Sequence, residues 1–102
     1  RRVLVFTSLQ DKDTETVIQL LIRKGDRVFL TEAPTPRTRK PEEIAAMIDE
    51  QKIAAVHTAE PSVTKALDAA QKEAKDGDVV IICGSLYILG EAMEWMAKKI
   101  GN

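Results

Sequence analysis

Apolar residues along this chain follow two alternating rhythms. Short continuous runs such as Val3-Leu4-Val5-Phe6 and Val79-Val80-Ile81-Ile82-Cys83 alternate with segments whose apolar positions recur every three or four residues. That alternation predicts repeated strand–helix units feeding a parallel sheet. The first strand is Val3 to Phe6, and Asp13 is placed to cap a helix whose inner face carries Val17, Ile18, Leu21 and Ile22 before Gly25 ends it. Arg27 to Leu30 reads as the second strand. After a turn rich in Pro and Thr, Pro41 suits a first helical position, with Ile44, Met47 and Ile48 as the buried stripe. Ile53 to His57 predicts a short third strand at a sheet edge. The next helix opens at Ser62, presents Val63, Ala66, Leu67, Ala70 and Ala74, and stops at Gly77. The fourth strand, Val79 to Cys83, is expected to be buried on both faces because its apolar run is unbroken. The last helix is expected to bury Leu89, Ala92, Met93, Met96 and Ile100.

The fold class implied is α/β: a Rossmann-like three-layer sandwich, a mainly parallel sheet of about four strands with helices on both faces. Right-handed crossovers leave 3-2-1-4 as the default strand order, with a switch point between strands one and four. Ligands of open α/β sheets bind beyond the carboxyl ends of strands beside such a point. The loops Ser8 to Asp13 and Gly84 to Tyr87 should therefore face each other, bringing Asp11, Asp13 and Ser85 into one crevice.

Composition narrows the setting. A chain of 102 residues is expected to form one domain, residues 1–102. Its 15 basic and 16 acidic residues leave a formal net charge of −1, which gives no electrostatic footprint for nucleic acid or an anionic membrane. One cysteine, Cys83, cannot form an internal disulfide, and no stretch has the length of a membrane span or the layout of a signal peptide, so a cytoplasmic setting is expected. The abrupt start, Arg1-Arg2 leading straight into a strand, is how a fragment begins.

Candidate chemistry gathers at the two facing loops. Gly84 permits a tight turn or the close approach of a ligand, and Ser85 can either cap the following helix or offer its hydroxyl to a bound carboxylate or phosphate beside free helix amides. Asp13 reads as a helix cap. Asp11 has two readings of equal weight: it closes the turn, or it receives an ammonium group. Arg37 could clamp a carboxylate or phosphate through two parallel hydrogen bonds, or belong to a solvated basic loop. His57 stands without a second His or a Cys nearby, which argues against zinc. Cys83 and Trp95 read as packing residues. None of the five glycines is followed by Lys, so there is no Walker A loop, and there is no Gly-x-Gly-x-x-Gly turn. A complete nucleotide site is not encoded. A freestanding flavodoxin-like or receiver-like binding module fits the size and the acidic pair after strand one, but no lysine follows the fourth strand as a receiver requires. A purely structural interaction domain is a third reading.

Several segments in order carry a family resemblance. These are Val3 to Phe6, the Asp11-Lys12-Asp13 loop, Val28-Phe29-Leu30-Thr31, Pro36-Arg37 with Pro41-Glu42-Glu43-Ile44, and Cys83-Gly84-Ser85-Leu86-Tyr87-Ile88-Leu89-Gly90-Glu91. Together, from about Val3 to Met93, they resemble the carboxyl-terminal domain of folylpolyglutamate and dihydrofolate synthases, within the Mur ligase superfamily. The resemblance implies an ATP- and Mg2+-dependent ligase that activates a folate or pteroate carboxylate as an acyl phosphate for attack by the amine of L-glutamate. It further implies a carboxyl-terminal domain that closes over ATP and helps to seat L-glutamate, with Ser85 as the foremost contact and Asp11, Arg37 and Gly84 at the same edge. The Asp-Gly-Ala-His-Asn-Pro strand-turn-helix that precedes the first strand in that family is absent from this sequence, as are the P-loop, the carbamylated lysine and the folate-binding domain. No catalytic residue or metal ligand is therefore assigned, the isolated chain is expected to be inactive, and the amino-terminal ligase domain is the expected partner. If the missing strand belongs between strands one and four, the default order fails and the chain exposes or rearranges a sheet edge, which domain swapping or dimerisation could cover.

Overall fold

The computed structural model describes residues 1–99. Four strands, β1 (Arg2–Phe6), β2 (Arg27–Leu30), β3 (Val56–Ala59) and β4 (Val79–Cys83), alternate with α1 (Thr14–Leu21), α2 (Pro41–Glu50), α3 (Val63–Glu73) and α4 (Leu89–Lys99). A single 3-10 turn, Leu86–Ile88, joins β4 to α4. All strand pairs are parallel and the order is β3-β2-β1-β4, the default among the orders that right-handed crossovers allow. β1 and β4 pair directly from Arg2↔Val79 to Phe6↔Cys83. No strand intervenes there, and the sheet does not rearrange between them.

Alternation along β1 divides the core in two. Val3 and Val5 pack with Phe29, Val63, Ala66, Leu67 and Ala70 under α3, where Ile88 and Ala92 join them. Leu4 and Phe6 pack with Val28 and Leu30 against Ile18, Ile22, Ile44 and Ile48 of α1, α2 and their ends. Each large aliphatic side chain so buried stabilises the fold by roughly 1.5–3 kcal/mol relative to exposure. Asp13 accepts from the Thr16 amide at 3.2 Å and the Thr16 hydroxyl at 2.7 Å, starting α1, while Ser62 accepts from the Lys65 amide at 3.4 Å at the start of α3. Pro41 occupies the first turn of α2.

Three expectations are corrected. The third strand runs Val56–Ala59 instead of Ile53 to His57, because Lys52 adopts a left-handed φ of 57° and the chain turns through Ile53 to Ala55 before the Val56 amide reaches the Asp26 carbonyl at 3.0 Å, and pairing with β2 then continues to Leu30↔Ala59. It does lie at an edge. β4 is not buried on both faces: Val79 is 58% and Val80 41% exposed, and Ile81 to Cys83 are half-buried. The cause is the strand order, which leaves β4 outermost with β1 as its one strand partner among the described residues. In α4, Ala92 is buried and Trp95 half-buried against α3, whereas Leu89, Met93 and Met96 face solvent. Both stripes are apolar and recur at helical spacing, so periodicity alone favours neither; packing on α3 and the Trp95 Nε1 donation to Asp68 at 2.7 Å select the rotation. Ile100, expected on the buried stripe, lies outside the described residues.

Candidate functional site

Loops leaving the paired ends of β1 and β4 border one cleft of about 600 Å³, lined by Leu9, Asp11, Arg37, Ser85, Tyr87 and neighbouring residues, Gly84 among them. The switch-point expectation is met for Asp11 and Ser85. Asp13 is not in this lining; its carboxylate is turned to the start of α1, where the Thr16 hydroxyl and amide hold it below the ordinary carboxylate range.

The β4 side of the cleft is fixed by backbone geometry. Gly84 has φ +102°, and a β-carbon placed on it would lie 1.9 Å from the Thr7 carbonyl oxygen and 3.0 Å from the Phe6 ring. Only glycine fits where the end of β4 crosses the end of β1 so closely. The chain then turns so that Ser85 Oγ accepts from the Tyr87 amide at 3.1 Å. Ser85 is thus a cap and also lines the cleft; its hydroxyl proton remains available to a ligand. Cys83 behaves as a packing residue: burial pushes its thiol up to about 11, and its Sγ lies 3.8 Å from the Val5 carbonyl oxygen.

Opposite, the segment Thr35 to Lys40 is tied to the loop after β1. Gln10 donates its amide to the Arg37 carbonyl at 2.8 Å, Arg39 donates to Ser8 at 2.9 Å, and Leu9 and Thr38 form an antiparallel bridge. The segment is therefore anchored, and Arg37 projects from it with a defined origin. Its Nη1 lies 3.4 Å from Asp11 Oδ2 and its Nη2 donates to the Tyr87 hydroxyl at 3.0 Å. Arg37 and Asp11 are each more than half exposed, so the pair contributes little to stability. Its consequence is arrangement: a cation and an anion stand beside a hydroxyl-bearing turn. Sequence alone does not mark Tyr87 as a site residue. It stands two positions after Ser85 in the Gly-Ser-Leu-Tyr segment, and its phenol is what links the two walls.

The cleft does not fit a resident metal. Asp11 is the one carboxylate in its lining and is already ion-paired, and no group of three His, Cys, Asp or Glu side chains suited to a metal occurs among the described residues. His57 pairs with Asp49 at 2.8 Å, away from this cleft. Among the described residues, no helix is long and apolar enough to cross a membrane.

Comparison with known proteins gives a consistent result. The family model described as Mur ligase, glutamate ligase domain matches residues 1–86. A probable dihydrofolate synthetase of Schizosaccharomyces pombe is 30% identical over 104 residues, covering 96% of this chain and 24% of that protein. Escherichia coli FolC in complex with DHPP and ADP superposes with a TM-score of 0.77 at 25% identity, over 99% of this chain and 23% of that one. A bifunctional folylpolyglutamate synthase/dihydrofolate synthase of Yersinia pestis, complexed with AMPPNP and Mn ion, gives a TM-score of 0.74 at 24% identity, over 95% and 22% of the two chains. The chain spans about a quarter of the length of the relatives it matches. With the family's model matched from the first residue through the Gly84–Ser85 turn, this chain belongs to the Mur ligase family as a glutamate ligase domain.

Proposed function

We propose that this chain is a single domain, residues 1–102, acting as the carboxyl-terminal part of an ATP-dependent folylpolyglutamate or dihydrofolate synthase in the cytoplasm. In this reading it seats L-glutamate for addition to a folate or pteroate carboxylate activated as an acyl phosphate. The observation that carries the proposal is the convergence of Asp11, Arg37, Tyr87 and Ser85 on one cleft at the β1/β4 switch point. An amino acid presents an ammonium and carboxylates together. Asp11 suits the ammonium, the Arg37 guanidinium suits a carboxylate, and the Ser85 hydroxyl offers a further donor. Arg37 and Asp11 would exchange their mutual contact for the two ends of the ligand.

ATP and Mg2+ supply the activating phosphoryl chemistry, and we assign their principal binding to an amino-terminal ligase domain outside these residues. The exposed β4 edge and the Leu89–Met93–Met96 stripe support contact with further protein, either that domain or a second copy of this chain.

The test is a titration of the isotope-labelled chain with L-glutamate, followed through backbone amide shifts. Saturable shifts at Asp11, Gly84, Ser85 and Tyr87 are expected. Shifts confined to other surfaces, or none at millimolar ligand, would overturn the assignment. Incubation with ATP, Mg2+, L-glutamate and a folate should release no ADP; turnover by the isolated chain would refute the proposed division of labour.

A further inference from the structure

Arg39 stands two residues beyond Arg37 and is its opposite in environment: its side chain is 19% exposed, against 54% for Arg37. It lies outside the cleft lining. Its guanidinium is directed into the loop that carries Asp11. Nη2 donates to the Gln10 carbonyl at 3.1 Å and the Lys12 carbonyl at 3.2 Å, the residues immediately before and after Asp11. Nε donates to Thr14 Oγ1 at 2.8 Å, and that buried hydroxyl lies 2.7 Å from Ser8 Oγ. Glu43 approaches Nη1 at 3.7 Å and balances the charge.

One planar fork of donors therefore spans the loop from Gln10 to Thr14, the first residue of α1. A lysine in its place would bring a single point charge and could not reach the same acceptors together. Backbone bonds of Gln10, Ser8 and Leu9 tie the start of this loop to the 35–40 segment, but on the Asp11 side chain itself the exposed Arg37 pair is screened and weak, leaving Arg39 as the side-chain tie on both sides of Asp11. Two of its acceptors are backbone carbonyls of a short irregular segment outside any helix or sheet ladder, and the Lys12 carbonyl among them also accepts from the Thr14 amide at 2.9 Å.

We propose that Arg39 is a positioning residue: it fixes the backbone on either side of Asp11 and so sets the affinity of the cleft for an amino acid without touching it. The affinity part rests on the function proposed above; the positioning part does not. The two separate in experiment. In the chain without ligand, amide hydrogen exchange at Gln10, Lys12 and Thr14 should accelerate about tenfold in Arg39→Lys and Arg39→Gln, the change expected on losing a charge-assisted hydrogen bond. Exchange at Ile18 and Val28, in the core, should stay within about twofold of the wild type. Unchanged exchange in the loop, or equal acceleration in loop and core, would overturn the positioning role. With L-glutamate as the probe, Kd should rise about tenfold in Arg39→Lys by the same loss. Accelerated loop exchange with an unchanged Kd would overturn the link to affinity. A wild-type chain that ignores L-glutamate would sink the proposed function, and with it the affinity part, while the exchange result still decides the positioning role.

Discussion

Replacing Gly84 with alanine tests the geometry that aligns the two walls of the cleft. The φ of +102° must be held by a residue with a β-carbon, and the new methyl would sit 1.9 Å from the Thr7 carbonyl oxygen. Left-handed backbone costs a non-glycine residue about 1–2 kcal/mol, and forcing a methyl into filled space costs about 1–3 kcal/mol more. The total, about 2–5 kcal/mol, is a large share of the ~5–15 kcal/mol that holds an average domain together. For a chain of this length it corresponds to a fall in Tm of roughly 10–30 °C. Gly77 supplies the control, since its φ of +89° imposes the same backbone penalty while a β-carbon there meets nothing within 4 Å. Thermal unfolding of both variants followed by circular dichroism, with urea melts for the free energies, separates strain from collision. Gly84→Ala should lose clearly more stability than Gly77→Ala. Equal losses would refute the close crossing of β4 over β1.

Other consequences can be measured on the same material. Removing the Ser85 hydroxyl in Ser85→Ala should cost about 0.5–2 kcal/mol, the loss of one cap, and should also weaken the L-glutamate response; a binding curve identical to wild type would leave Ser85 as a cap alone. Asp26 is buried and pairs with Arg2 at 2.5 Å. Burial raises its carboxyl pKa, but the Arg2 guanidinium and the Arg23 amide outweigh that and hold it below 3.8, while the Lys75 amide and Arg1 lower Asp78 to about 2. Both folded values lie below the unfolded one, so the stability they contribute is complete above pH 3.8 and is lost as pH falls toward 2. Urea melts from pH 5 to pH 2 should show this decline, and Asp26→Asn should flatten it while costing about 3 kcal/mol at neutral pH; an unaltered slope would exclude Asp26 as a source. With its thiol pushed up to about 11, Cys83 should alkylate with iodoacetamide at pH 8 far more slowly than free cysteine. Rapid labelling would contradict the packing role.

Much of this fold was legible because local and global signals agree. The strands at Val3 to Phe6, Arg27 to Leu30 and Val79 to Cys83, the Asp13 and Ser62 caps, and the strand order all follow from periodicity, capping chemistry and crossover handedness. Burial of β4 was not legible, since an unbroken apolar run describes what a strand can tolerate, whereas its exposure depends on which strand lies beyond it. Likewise α4 carries two apolar stripes, and only the packing on α3 distinguishes Ala92 and Trp95 from Leu89, Met93 and Met96. At the cleft, loop composition indicated Asp11, Ser85 and Arg37. Tyr87 and Arg39 were hidden because their roles depend on hydrogen bonds across 50 and 25 to 29 residues of sequence respectively, distances that no local motif encodes.

The open side of β4 also determines how this molecule would fail. Five uncharged residues, Val79 to Cys83, form a strand free of proline and lysine whose outer row of amides and carbonyls meets no neighbouring strand among the described residues. Such a rim is a template for cross-molecular sheet growth. In concentrated solution the shelf life of the isolated chain would then be governed by templated fibre seeding, a process that overall heat resistance neither measures nor prevents. One lysine facing outward on that rim would do more to keep the material in solution than any strengthening of its interior.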